Sequence, residues 1–146
     1  MDQSTLLRGI YLFKDAYEED LASLAAIAAP RSYLQGSMVF TEGEEADAMF
    51  VVEIGTVDIV PAGKELAVVT VGANQAFGEL SFFNRGKRPA SARARERSSL
   101  CRIPFDRLER LLAERSSLAL SFNRNSCAFL AKLVRGLVGD LNRRYF

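Results

Sequence analysis

The segment formed by residues 77–94 contains one acidic and one basic side chain that together could bind a nucleotide. Glu79 carries a carboxylate, which accepts a hydrogen bond from a hydroxyl group such as a ribose 2′-OH. Arg88 carries a guanidinium group, which can donate two parallel hydrogen bonds to the oxygens of a phosphate. A ligand that contains both a sugar and a phosphate satisfies both residues, and this indicates a nucleotide.

Backbone groups near this pair are also suited to an anion. If residues 80–84 form a helical turn, the N–H groups at its start, near Leu80 and Ser81, have no partner within the turn and can donate to a phosphate. Gly78 has no side chain, so the backbone can approach a ligand closely there. The segment therefore predicts an anion-binding turn that is followed by a strand of small residues.

Residues 77–94, which we call the cassette, resemble the phosphate-binding cassette of cyclic nucleotide-binding domains, the family of the catabolite activator protein and the protein kinase A regulatory subunit. The family pattern has F-G-E-L and, after a spacer, R-[S/T/A]-A-[S/T]-V-R-A. The chain matches this pattern at Phe77, Gly78, Glu79, Leu80, Arg88, Ala90, Ser91, Arg93 and Ala94. The first half of the chain also resembles the family, at Gly36, Gly43, Asp47, Phe50, Gly55 and Val57.

The resemblance implies a binding site for cAMP or cGMP. In this site, Glu79 would accept a hydrogen bond from the ribose 2′-OH, and Arg88 would pair with the cyclic phosphate. The other site residues that the resemblance implies are Gly78, Leu80, Ser81, Pro89 and Ala90. It also implies that the ligand draws the cassette inward and moves the C-terminal helices over the base. The chain would then be a sensor without catalysis, and we expect neither a cofactor nor a bound metal.

The chain departs from the family pattern at two positions of the cassette. Ala92 replaces the usual Val, which only reduces the volume of the core. Pro89 replaces Ser, Thr or Ala, and the resemblance implies that the backbone N–H at this position donates to the phosphate. Because proline has no N–H, we expect weak binding. A hydroxyl at this position favours cGMP in some relatives, and its absence from Pro89 favours cAMP.

A degenerate domain is the alternative interpretation. Such a domain would keep the fold but serve as a protein-interaction or dimerisation module without ligand, and Pro89 is the residue that favours it. An enzyme is a weaker candidate. The chain has no histidine, which excludes His-ligated zinc sites and Ser-His-Asp triads, and its residues provide no nucleophile–base pair.

Length and composition indicate a single domain over residues 1–146, with 49% hydrophobic and 25% charged residues. The net charge of +1 gives no overall attraction to nucleic acid or acidic membranes. The two cysteines, Cys101 and Cys127, are more typical of a reduced cytoplasmic protein than of a disulfide scaffold. The sequence contains no apolar run of transmembrane length and does not begin like a signal peptide. We therefore expect a cytoplasmic location without membrane contact.

The hydrophobic pattern and the resemblance predict a mainly β fold with flanking helices: a β-roll (double-stranded β-helix or jelly roll) with one N-terminal helix and two C-terminal helices. The N-terminal helix is predicted over residues 15–29, with Asp15 and Glu18 as a capping box and Pro30 as the stop. Residues 31–103 alternate with a period of two and predict the β-roll, with strands over residues 38–40, 49–54, 56–60, 65–71 and 99–103. Asn74 suits a left-handed turn just before the cassette.

An acidic cluster and a basic cluster each have two interpretations. The acidic cluster could hold a metal, but it lacks the remaining ligands of an EF-hand, so a solvated turn is favoured; it contains Glu42, Glu44, Glu45 and Asp47. The basic cluster contains Arg85, Lys87, Arg88, Arg93, Arg95 and Arg97, and the last three would share one face of a strand. Neither a groove-entering helix nor interleaved aromatic residues accompany it, so a solvated face is favoured over nucleic-acid binding, with Arg88 excepted.

Residues 104–145 are predicted to form two helices. Pro104 precedes the first, and Ser116 or Ser117 caps the second, which extends to about residue 145. The second helix carries an apolar stripe wider than one core contact requires, formed by Phe122, Phe129, Leu130, Leu133, Val134, Leu137, Val138 and Leu141.

The wide stripe suggests a second partner surface, and in the family such helices pair two subunits. A homodimer is therefore expected, although plain packing on the β-roll is the alternative. Gly136 and Gly139 would end or bend the helix early. Because the chain stops at Phe146, without room for a helix-turn-helix, a kinase or a channel pore, we expect its output to pass through an unknown effector protein or through dimerisation.

Overall fold

Two antiparallel four-stranded sheets and five helices make up the described part of the chain, which is residues 2–67 and 69–145 without the side chains of residues 141–145. In this computed structural model the helices are α1 (Gln3–Arg8), α2 (Glu18–Ile27), α3 (Leu80–Phe83), α4 (Phe105–Glu114) and α5 (Ser116–Tyr145). The strands are β1 (Ala29–Tyr33), β2 (Met38–Phe40), β3 (Ala48–Ile54), β4 (Val57–Pro61), β5 (Val69–Val71), β6 (Ala76–Phe77), β7 (Ala90–Ala94) and β8 (Ser98–Pro104). One sheet has the order β1-β8-β3-β6, and the other has the order β2-β7-β4-β5. The predicted β-roll with flanking helices is confirmed.

Strand β3 separates two hydrophobic clusters, because successive side chains of a strand point to opposite faces of its sheet. Met49 and Val51 pack against the helices, in a cluster that includes Phe105 of α4. Phe50 and Val52 belong to the cluster between the two sheets. This inner cluster consists of Phe40, Ala48, Phe50, Val52, Val57, Val71, Phe77, Ala92 and Leu100.

Four of the predicted strands are present with their ends shifted by at most one residue, but β1 and β6 are not predicted by the sequence. β1 pairs with β8 from Ala29↔Arg102 to Tyr33↔Ser98, and its three central residues are exposed. It therefore lacks the alternating apolar pattern. β6 contains only two residues. The predicted strand over residues 65–71 is too long, because β5 begins at Val69 and residues 65–67 lie outside any strand.

The N-terminal region contains two helices rather than the one predicted. Asp2 caps α1 by accepting a hydrogen bond from the N–H of Thr5 at 2.8 Å. Helix α2 begins three residues later than predicted, with Tyr17 at the N-cap and no side-chain cap. The capping box of Asp15 and Glu18 is therefore wrong. Residues 29 and 30 belong to β1 rather than to the end of the helix.

The basic cluster differs from the prediction in the position of two arginines. Strand β7 ends at Ala94, and Arg95 and Arg97 lie in the bend that follows it. The expectation that they share a strand face with Arg93 is therefore wrong. The four acidic residues of the other cluster lie in the segment between β2 and β3, which is hydrogen-bonded to the cassette: Glu42, Glu44, Glu45 and Asp47.

The two predicted C-terminal helices are both present. Pro104 occupies the N-cap position of α4, which buries Phe105, Leu108 and Leu111. Helix α5 begins at Ser116 and continues through residues 136 and 139, so the glycines do not end it. The hydroxyl of Ser117 donates to the carboxylate of Asp20 in α2 at 2.7 Å. This bond joins the start of α5 to the N-terminal helices.

Candidate functional site

The turn between β6 and α3 places Glu79 beside Arg88. Gly78 has a φ angle of +77°, which lies in the left-handed region that favours glycine. A Cβ atom at this position would lie 3.0 Å from Nη1 of Arg88 and 3.3 Å from Cε2 of Phe40. Gly78 is therefore required both by its backbone conformation and by the close packing of Arg88.

The loop before β7 is fixed by hydrogen bonds to the segment between β2 and β3. The N–H of Arg88 donates to the carbonyl of Glu44 at 2.8 Å, and the carbonyl of Arg88 accepts from Gly43 at 2.9 Å. The N–H of Ala46 donates to the carbonyl of Gly86 at 2.9 Å. The backbone of Arg88 is thus held in place on both sides.

The Arg88 side chain is buried, with 3% of its surface exposed. Its Nη1 donates to the carbonyl of Gly78 at 3.1 Å, and its Nη2 donates to the carbonyl of Ala48 at 2.5 Å. The guanidinium carbon lies 4.0 Å from the centre of the Phe40 ring, at a distance typical of a cation–π contact. Burial lowers the pKa of Arg88, while the charges of Asp47 and Glu44 raise it. A guanidinium group nevertheless stays charged.

The Glu79 side chain is also buried, with 8% of its surface exposed. Its Oε1 accepts a hydrogen bond from the hydroxyl of Tyr11 at 3.3 Å. Burial raises the pKa of Glu79, while hydrogen bonds from its own backbone N–H and from Tyr11 lower it. The pKa of Tyr11 is raised by burial and by the charge of Glu79.

Glu79 and Arg88 each have one buried polar atom that lacks a hydrogen-bond partner among the described residues. These atoms are Oε2 of Glu79 and Nε of Arg88. A buried polar atom without a partner costs about 1–3 kcal/mol of free energy. A ligand that reached either atom would remove part of this cost.

The structure brings all seven predicted site residues together around one cavity of about 330 Å³. Gly78, Glu79 and Arg88 form its polar part. Leu80 and Ser81 are the first residues of α3, where N–H groups lack intrahelical partners. Pro89 is exposed and directly precedes Ala90, the first residue of β7. The binding role of these residues stays a prediction.

Neither the apolar wall of this cavity nor the partner of Glu79 could be identified from the sequence. The wall is formed by Phe40, Ile59, Val69, Val71, Ala76 and Phe77. Its members come from β2, β4, β5 and β6, so only the assembled sheets bring them together. Tyr11 lies 68 positions before Glu79, and no local motif marks it.

The described part of the chain contains neither a metal-binding cluster nor a membrane-spanning helix. Within residues 2–67 and 69–145, no group of three or more His, Cys, Asp or Glu residues could hold a metal ion. None of the helices described above has both the length and the apolar character needed to cross a bilayer.

The family model of the cyclic nucleotide-binding domain matches residues 30–115, which include the whole cassette. The chain belongs to this family. The family resemblance predicted from the cassette is therefore confirmed. The match begins in β1 and ends just after α4, so it includes both sheets and every residue of the candidate site.

Two curated relatives and one solved relative of this cyclic nucleotide-binding domain have the names of regulatory proteins. A CRP-like cAMP-activated global transcriptional regulator of Mycobacterium tuberculosis is 30% identical over 122 residues, which cover 82% of this chain and 54% of that protein. The cAMP-dependent protein kinase regulatory subunit of Yarrowia lipolytica is 27% identical over 106 residues, which cover 73% of this chain and 28% of that protein. The N-terminal domain of a transcriptional regulator from Streptomyces coelicolor A3(2) matches with a TM-score of 0.79 at 30% identity, covering 88% of this chain and 94% of that one. The chain thus spans about half, or less, of the length of these two curated relatives.

Proposed function

We propose that this domain is a non-catalytic sensor of cAMP or cGMP that relays binding through movement of its C-terminal helices. The observation that carries the proposal is the pair of buried, oppositely charged side chains, Glu79 and Arg88, on one cavity. Each has an atom without a hydrogen-bond partner among the described residues. A carboxylate and a guanidinium group with unused hydrogen-bonding capacity match a ribose hydroxyl and a cyclic phosphate.

Different residues contact the ribose and the phosphate of the ligand. Glu79 accepts from the ribose 2′-OH, and Arg88 pairs with the cyclic phosphate. The backbone of Gly78, Leu80, Ser81 and Ala90 completes the phosphate site, whereas Pro89 supplies no N–H. The apolar wall of the cavity provides contact area for the base. Because Pro89 also lacks a hydroxyl, we propose cAMP as the preferred ligand.

Calorimetric titration with cAMP and cGMP tests this proposal. We expect saturable binding of one or both, with 5′-AMP as a matched control that carries the same base and sugar without the cyclic phosphate. If neither cyclic nucleotide binds at millimolar concentration, the sensor proposal is wrong. The degenerate module, which keeps the fold for protein interaction or dimerisation, would then be the better interpretation.

We also propose that α5 forms a homodimer interface. Residues 130–138 of this helix expose five large apolar side chains, and their spacing of three and four residues places them along one face: Leu130, Leu133, Val134, Leu137 and Val138. A second copy of α5 packed against this face would remove it from water. An effector protein, still to be identified, would then respond to the dimer or to the helix position.

We also propose a cytoplasmic location for this domain. Both cysteines are free, which supports a reducing compartment such as the cytoplasm. Burial, with a smaller contribution from the charge of Glu53, raises the pKa of Cys101 to about 11, so it stays protonated at neutral pH. Arg85, which lies within the cassette, contacts Glu109 at 3.4 Å. We assign no role to nucleic acid or to membranes in this domain.

A further inference from the structure

Tyr11 touches both the candidate site and helix α5. It lies in the segment between α1 and α2, and its hydroxyl donates to Oε1 of Glu79 at 3.3 Å. The centre of its ring lies 4.6 Å from the centre of the Phe129 ring, with an angle of 30° between the ring planes. One side chain therefore contacts the predicted ribose acceptor at its hydroxyl and α5 at its ring.

The segment that carries Tyr11 is attached to α5 at two further points. The side-chain amide of Asn125 donates to the carbonyl of Leu12 at 3.1 Å. The rings of Phe13 and Phe122 are stacked with their centres 5.9 Å apart. Leu12 and Phe13 are both fully buried. A displacement of α5 near these contacts would therefore displace the backbone of Tyr11 as well.

A second cavity of about 460 Å³ lies beside these contacts. Tyr11, Glu79 and Phe129 all line it, and Glu79 also lines the cavity of the candidate site. Glu79 is therefore a wall residue of both cavities. Its Oε1 is bonded to Tyr11, and its Oε2 has no partner in the described part of the chain.

We propose that Tyr11 is a positioning residue that links the carboxyl group of Glu79 to helix α5 through its hydrogen bond and its contact with Phe129. The hydroxyl of Tyr11 limits rotation of the carboxyl group and leaves Oε2 for a ligand hydroxyl. When the carboxyl group shifts toward a ligand, the hydrogen bond carries the shift to Tyr11 and so to α5. The part of this inference that concerns a ribose hydroxyl rests on the proposed function, whereas the link itself exists without ligand.

The first experiment measures how the hydroxyl of Tyr11 affects nucleotide affinity. Tyr11→Phe keeps the ring and removes only the hydroxyl. We expect it to weaken cAMP binding about three- to tenfold, the usual effect of one hydrogen bond, and to leave the binding of 2′-deoxy-cAMP unchanged. If Tyr11 only supported the structure, Tyr11→Phe would weaken the binding of cAMP and the binding of 2′-deoxy-cAMP equally. Equal weakening, unchanged cAMP affinity or tighter cAMP binding would each overturn the positioning of Glu79. Tyr17→Phe, which alters an exposed tyrosine in the same region, is the matched control.

The second experiment needs no nucleotide, so it separates failure of the link from failure of the proposed function. Amide hydrogen exchange is measured for residues 122–130 in four ligand-free proteins: wild type, Glu79→Ala, Tyr11→Phe and the double variant. We expect Glu79→Ala to raise exchange in the wild-type background and to add nothing in the Tyr11→Phe background. Equal increases in both backgrounds, or no increase in either, would contradict the link.

A further variant keeps the test informative if Tyr11→Phe does not fold. Phe129→Leu removes the ring on the α5 side of the same link. The Glu79→Ala change should then lose its effect on exchange in residues 122–130. If its effect is retained, Tyr11 and Phe129 do not connect Glu79 to α5.

Discussion

Arg88 supports the fold through its guanidinium group, in addition to the phosphate role that we propose for this single residue. We expect Arg88→Leu to lower cyclic nucleotide affinity by at least about thirtyfold, since truncation of a buried charged partner typically costs about 2–5 kcal/mol. It should also lower the melting temperature, because the carbonyls of Gly78 and Ala48 lose their donors.

Calorimetry and thermal unfolding measure these two effects of Arg88→Leu. Arg85→Leu is the control, because Arg85 is a nearby arginine whose side chain is 45% exposed and does not line the candidate site. Retention of wild-type affinity in Arg88→Leu, with Arg85→Leu also normal, would contradict the assigned phosphate role.

Pro89 permits a change that should improve binding. Pro89→Ala restores a backbone N–H and makes the side chain smaller, and a charge-assisted hydrogen bond to phosphate is worth about 1.5–3 kcal/mol, or roughly ten- to a hundredfold in affinity. The change also increases the freedom of the unfolded chain and lowers stability by up to about 1 kcal/mol. Titration should therefore show tighter binding, while thermal unfolding shows a slightly lower midpoint. An unchanged affinity would mean that other groups already satisfy the phosphate.

The raised pKa of Glu79 predicts a pH dependence of stability. The folded protein binds a proton at this residue more readily than the unfolded chain does, so the stability from this group is present below the ordinary pKa of 4.5 and is lost as pH rises through the raised value. Glu79→Gln removes the titration. Urea unfolding from pH 4 to pH 8 should show wild type losing stability relative to Glu79→Gln over this interval. A difference that does not vary with pH would show that burial does not control the protonation of Glu79.

At the scale of the element, α5 provides a test of the proposed dimer. Leu133 lies in the exposed apolar face, so Leu133→Glu should convert a dimer to a monomer, because a charge would have to be buried in the interface. Leu120→Glu is the matched control, since Leu120 is exposed on α5 but lies about 20 Å along the helix from Leu133. Light scattering at several concentrations measures the effect. A monomeric wild-type protein at the highest concentration would reject the dimer.

The elements with strong local patterns could be predicted from the sequence, and those defined by tertiary contacts could not. Phe105, Leu108 and Leu111 show the helical period of α4, and the residues of β3 are apolar along most of the strand. By contrast, β1 is exposed and is held by its pairing with β8. The cassette could be found because its turn, glycine and charges are adjacent in sequence. Tyr11 could not be identified from the sequence, because its contact with Glu79 joins residues that are 68 positions apart and leaves no local pattern.

At the scale of the whole molecule, ligand binding should stabilise the fold. A ligand at a hundred times its dissociation constant adds about 2.7 kcal/mol to the free energy of unfolding, which corresponds to a rise of about 5–10 °C in the melting temperature for a domain of this size. Thermal unfolding with and without cAMP measures the rise, and Arg88→Leu should reduce it strongly at the same ligand concentration. A rise of equal size in Arg88→Leu would indicate a different binding site.

Strand β6, which leads into residues 78–84 of the cassette, is attached to its sheet by few residue pairs. It is the last strand of its sheet, and it pairs with β3 only at Phe50↔Phe77 and Val51↔Ala76. A swing of the segment that follows it would stretch few interstrand bonds and would leave the long ladder between β3 and β8 intact. Segments with few such bonds open at lower free energy than the centre of a sheet. Residues 78–84, which include Glu79 and Ser81, should thus be easier to displace than strand β7, which lies between β2 and β4.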